Sequence, residues 1–170
     1  MTRWLLLLTF SFSAFAQAQP LVKVGEGTAR WGWIKLYDAR LFTLAGLPKS
    51  VLLDEHTPLR LELCYHRALS VKDFVDGANH ALADDLSAPL RAAVDQLHAA
   101  YQPVEEGDCY TLDYRPNSGT HLLLNQHELI HLTTPGFKAI YFGIWLGDSP
   151  LSTSLKQALT ASLLSTPSTQ

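Results

Sequence analysis

One stretch constrains the fold more than any other: residues 59–75, "LRLELCYHRALSVKDFV", where the hydrophobic period changes. Leu59, Leu61, Leu63 and Tyr65 alternate with Arg60, Glu62, Cys64 and His66, the pattern of a strand with one buried face. From Ser70 the spacing becomes helical, with Val71, Phe74, Val75, Ala78 and Leu82 on one stripe. Ser70 with Asp73 three positions later is a capping-box-like start. The chain therefore leaves a sheet and enters a helix within a few residues.

The same contrast organises the rest. Residues 21–29 read as a first strand that Gly25 and Gly27 weaken or bend, and 31–45 as a longer strand. Gly46, Pro48 and Pro58 punctuate a connection. A second helix begins near Ser87, with Pro89 in its first turn, and "PVEEGD" breaks it. "CYTLDYR" and "THLLLN" are strands joined by the turn "PNSG". Phe137, Ile140, Tyr141, Ile144 and Trp145 predict a helix that Gly147 stops. Ser149-Pro150 predicts the opening of a last helix carrying Leu151, Leu155, Leu159 and Leu163. Strands, two helices, strands, two helices: the expected class is α+β, an antiparallel β-sheet with α-helices packed on one face.

At 170 residues the chain suits one domain. Residues 1–18, "MTRWLLLLTFSFSAFAQA", have a basic start, an apolar run and a small-x-small end. That is the form of a secretory signal peptide, leaving 19–170 as a single exported domain, periplasmic or secreted. The apolar run is short for a membrane span. With 13 basic and 16 acidic side chains, net −3, and no basic block, nucleic acid is not an expected partner. Cys64 and Cys109 each sit on the polar face of a strand. If those strands are close in one sheet a disulfide is geometrically allowed; the alternative is two free thiols.

"HELIH", His127 to His131, spells the zinc-protease pattern. It lies between the turn residues Asn125-Gln126 and the stop Thr133-Thr134-Pro135-Gly136, too short a space for the helix that zinc chemistry needs. On a strand the two histidines would stand roughly 13 Å apart. The sequence therefore predicts a strand and no metal site. No Gly-x-Ser-x-Gly elbow and no dinucleotide fingerprint appear, and no cofactor is expected.

Three stretches together resemble the bacterial chalcone-isomerase-like family: "VGEGTARWGWIKLYDARLF" (24–42), "LRLELCYHRALSVKDFV" (59–75) and "YFGIWLGDSPLSTSLKQAL" (141–159). The last is the most specific, and the resemblance spans about residues 21–164. It implies a large antiparallel sheet, helices on one side, and a ligand cleft between the layers. That fold hosts ring-closing isomerases and non-catalytic fatty-acid binders, and fold alone does not choose. By the same resemblance Arg30 matches an arginine that polarises a substrate or engages a carboxylate, and Tyr37 occupies the position of a strand Thr. The isomerase Tyr–Asn helix pair falls on Lys72 and Asn79, so the Tyr is replaced. A late Ser/Thr position falls near Ser152 or Thr153.

The leading expectation is a non-catalytic binder of a small apolar ligand with a carboxylate or carbonyl head, fatty-acid-like. Its ligand-binding candidates are Arg30, Tyr37, Asn79, Lys72 and Ser152. Behind it stand a cyclising isomerase and an envelope protein whose partner is another protein. Each residue also has a simpler reading. Arg30 could pair with Glu26, Trp31 and Trp33 could cover the sheet, and Lys72 could be a solvated side chain. Asp38 and Arg40 could neutralise each other, and Trp145 could be buried helix packing.

Overall fold

The structure, a computed structural model, describes residues 20–164. The expected signal peptide and the extreme C-terminal tail lie outside these residues.

Six strands form one antiparallel sheet in sequential order: β1 (Val22–Trp31), β2 (Ile34–Thr43), β3 (Leu59–Tyr65), β4 (Cys109–Arg115), β5 (Gly119–Leu124) and β6 (His127–Leu132). Each strand pairs antiparallel with the next in sequence. Two helices, α1 (Val71–Ala81) and α2 (Ala88–Ala100), fill the β3–β4 crossing, and α3 (Phe137–Leu146) and α4 (Thr153–Leu159) follow β6. The class is α+β, as the periodicity predicts.

The alternation seen in the sequence sorts the two sheet faces. Leu59, Leu61 and Leu63 are buried beneath the helices with Leu112 and Leu122 of the neighbouring strands. The opposite face carries cross-strand polar pairs. Arg40 meets Glu62 at 2.8 Å and Arg60 meets Asp113 at 3.1 Å. Asp38 is engaged by Thr28 Oγ1 at 2.6 Å and lies 3.0 Å from His66 Nε2, so Asp38 and Arg40 do not neutralise each other. Cys64 and Cys109 are direct partners in register and are joined by a disulfide.

Two boundaries differ from the sequence reading. The stretch from Trp31 is not one strand, because Gly32-Trp33 form a two-residue turn between β1 and β2. Gly32 has φ +60, and glycine at the first central position suits a type II′ hairpin, whose twist matches the strands. Trp31 and Trp33 consequently stand in solvent rather than covering the sheet. The last helix starts at Thr153, not at Pro150: Leu151 N still donates to Ile144 O, and Ser152 Oγ accepts from Leu155 N. Leu151 is left outside it. At "HELIH", Asn125 and Gln126 take positive φ and turn the chain into β6. His131 stacks on His121 of β5, ring centroids 4.8 Å apart, and Glu128 binds the His121 ring at 2.8 Å. The motif is a strand edge with polar cross-strand pairs, and it lacks the helical face that zinc chemistry needs.

The helix ends follow local chemistry. Ser70 and Asp73 form the reciprocal capping box of α1, and Gly147 ends α3. The sheet also admits α4 closely. A Cβ on Gly25 would stand 2.1 Å from the Leu159 carbonyl oxygen, and one on Gly27 would stand 2.9 Å from Ala158 Cβ. The two glycines of β1 make room for a helix.

Candidate ligand-binding site

A cavity of about 500 Å³ opens between the inner sheet face and the helices. Leu63, Leu112 and Leu122 supply its floor, while Phe74 of α1 and Ile144 of α3 close the helical side. Arg30, Trp31, Arg67, Asp73 and Leu151 line it too and are exposed, which marks the opening. Volume and lining match a site for a small apolar ligand with a few polar contacts.

The polar contacts are mostly phenolic. Of the six tyrosines in the chain, Tyr37, Tyr65, Tyr101, Tyr110 and Tyr141 all line the cavity. Three are satisfied internally. Tyr101 and Tyr141 share a hydrogen bond at 2.7 Å, and Tyr110 donates to Gln102 O and accepts from Gln102 N, each at 2.8 Å. The other two are not. Tyr37 Oη accepts from Trp145 Nε1 at 3.0 Å, which leaves its own proton available. Tyr65 is 5% exposed, and among the described residues its hydroxyl has no hydrogen-bond partner. Tyr37 and Tyr65 face each other in register, ring centroids 5.6 Å apart. Two phenols with uncommitted protons therefore occupy neighbouring strands of the wall.

Burial pushes all these phenols above their ordinary pKa, Tyr65 and Tyr141 furthest. The apolar surroundings disfavour a phenolate. At neutral pH they keep their protons and serve as hydrogen-bond donors rather than as bases. Asp73 at the opening is held ionised, chiefly by the hydrogen bond from the Ser70 hydroxyl and then by the Ser70 amide. Its Oδ2 is occupied in capping α1.

Of the residues expected from sequence, Arg30, Tyr37 and Ser152 line the cavity. Glu26 pairs with Lys23 at 2.7 Å, and among the described residues Arg30 has no ion-pair partner. Ser152 is occupied by capping α4 and by Ser154 Oγ at 3.1 Å. Lys72 and Asn79 do not line it. Both are exposed, and Lys72 pairs with Asp76. The reason is helical phase: Asp73, Phe74, Gly77 and Ala78 face the cavity, and positions 72, 76 and 79 lie on the opposite side of α1. Sequence reasoning missed Arg67 and the tyrosines at 65, 101, 110 and 141. Tyr65 and Tyr110 were legible as inward-facing strand residues, but alternation cannot distinguish a tyrosine packed in a core from one bordering a void.

The family model described as chalcone isomerase-like matches residues 9–160. The chain belongs to the chalcone isomerase-like family. Among solved structures it is similar to a fatty-acid binding protein of Arabidopsis thaliana, with a TM-score of 0.66 over 90% of this chain and 93% of that one. Identity is 12%, so the likeness speaks for the fold. No curated protein matches. Lys72 and Asn79, the positions expected by resemblance to carry a functional pair, are both exposed on α1.

Proposed function

We propose that this protein is a non-catalytic carrier of a small apolar ligand with a carboxylate or carbonyl head, a fatty acid being the simplest example. The observation that carries the reading is the juxtaposition at the cavity mouth. Arg30 has no ion-pair partner among the described residues, Tyr37 has a free proton, and the hydroxyl of the cavity-lining Tyr65 has no hydrogen-bond partner among the described residues. An anionic head would accept from all three, while the leucine floor takes an apolar tail. A ligand oxygen held at this apolar wall would gain hydrogen bonds from donors that have none to give up. The fatty-acid-binding function of the Arabidopsis relative supports this direction. We further propose export to an oxidising compartment as one domain over residues 19–170, with which the Cys64–Cys109 disulfide is consistent.

The test is direct. Protein stripped of lipid is titrated with a long-chain fatty acid and with the corresponding alcohol. Wild type binds the acid more tightly than the alcohol. Arg30→Ala lowers affinity for the acid by roughly tenfold or more, as expected for a charge-assisted contact, and Tyr65→Phe lowers it less. No binding by wild type, or an unchanged affinity in Arg30→Ala, removes the carrier reading. Turnover of a chalcone above background, lost in Arg30→Ala, would instead establish an isomerase.

A further inference from the structure

Trp31 and Trp33 are 74% and 88% exposed, the largest values among the exposed bulky apolar residues of the described chain. They flank Gly32 at the tip of the β1–β2 hairpin, on the edge of the sheet. Two indole rings held in water by a tight turn are an unusual surface for a folded domain. Their position is specific: Trp31 also lines the cavity opening, as does Leu151, itself 45% exposed.

The charge around the tip has one dominant sign. Arg30 and Lys35 are register partners across the hairpin, both exposed. Arg67, exposed, lines the same opening from the β3–α1 connection. The acid in that lining, Asp73, is engaged by the Ser70 amide and hydroxyl, each at 2.7 Å. A protein of net charge −3 thus presents a cationic rim around exposed indoles at the opening of the cavity. Indole rings partition to the headgroup layer of a bilayer, where an apolar body and a polar N–H are both accommodated. Cationic side chains beside them are drawn to anionic headgroups within a Debye length. Among the described residues no helix is long and apolar enough to cross a membrane, so the contact is with a surface.

We propose that the Trp31-Gly32-Trp33 tip, with Arg30, Lys35 and Arg67 around it, docks the cavity mouth onto an anionic lipid bilayer. An apolar ligand then passes between membrane and cavity without crossing water. The docking stands on the surface alone; the passage of ligand rests on the carrier reading above.

The experiment separates the two. Full-length mature protein is co-sedimented with phosphatidylglycerol–phosphatidylcholine vesicles and with phosphatidylcholine vesicles. Wild type binds the anionic vesicles more tightly, salt weakens the binding, and tryptophan fluorescence shifts to the blue and is quenched by brominated lipid. The double variant Trp33→Ala, Lys35→Ala changes two exposed residues outside the cavity lining. Its vesicle affinity falls by about tenfold or more, while its affinity for a soluble fatty acid equals that of wild type. Vesicle binding equal in wild type and variant, or absent in wild type, overturns the docking. So does a wild-type dimer, seen by analytical ultracentrifugation and abolished in the variant, that binds no vesicles. Loss of fatty-acid binding in wild type with vesicle binding intact would count against the carrier reading alone.

Discussion

Lys138 shows how a single buried cation ties a long connection to the fold. It is 1% exposed and donates to Asp54 O at 2.5 Å and Thr57 O at 2.7 Å, with its ammonium 4.6 Å from the centre of the Tyr114 ring. The two hydrogen bonds hold the segment that follows the short 3-10 helix Lys49–Val51, and the ring contact sets Lys138 against β4. Burial lowers its pKa to about 8, against the opposing pull of Glu55 and Asp54. The sign follows from proton counting. Below pH 8 both folded and unfolded chains carry the proton. Between about 8 and the ordinary lysine value the unfolded chain keeps it and the folded chain releases it, so stability rises with pH, by at most about 1.4 kcal/mol per unit. Above the ordinary tyrosine pKa the buried phenols reverse the trend, because only the unfolded chain ionises them freely. Urea titrations from pH 7.5 to 9.5 should show the rise in wild type and its absence in Lys138→Met. The same slope in both would refute this assignment.

At the scale of elements, fit is decided by a few backbone contacts. Gly25 lets the last turn of α4 lie directly on β1, with a hypothetical Cβ 2.1 Å from a main-chain oxygen. Main chain cannot rotate aside as a side chain can, so Gly25→Ala should cost at least about 2–3 kcal/mol, read as a lower urea midpoint. A midpoint within error of wild type would mean that α4 is free to move. Capping explains why α1 was legible and α4 only partly so. Ser70 and Asp73 are both correct in spacing and used as a reciprocal pair. Ser149-Pro150 has helix-start chemistry too, but Ser152 captures the Leu155 amide instead. The Gly32-Trp33 turn was hidden for a related reason. Aromatic and apolar residues continue on both sides of it, so the hydrophobic pattern gives no break.

For the whole molecule, the disulfide fastens β3 to β4 at the end of the sheet where Tyr65 meets the cavity. It closes a loop with a sequence separation of 45 that contains α1 and α2. By loop-closure entropy its removal should lower stability by about 4 kcal/mol. Denaturation of Cys64→Ser, Cys109→Ser protein, or of wild type with and without reductant, measures this. A difference below about 1 kcal/mol would show that the reduced chain already keeps the loop ends together. Ligand binding to the reduced form should also weaken, because the crossing that carries Phe74 loses its tether.

The α+β class, the antiparallel sheet, the strand character of "HELIH" and the capped start of α1 were determined by sequence alone. Each rests on local spacing, which every residue carries with it. The cavity was decided only by tertiary structure, and so were its unbonded Tyr65 hydroxyl and the outward turn of Lys72 and Asn79. A void is a relation between the sheet and helices α1 and α3, and whether a tyrosine packs or lines it depends on how closely they approach. Helical phase likewise has meaning only once a partner surface defines which side is in. Trp31 and Trp33 make the same point from outside, since one glycine turn placed in solvent two rings that composition alone would bury.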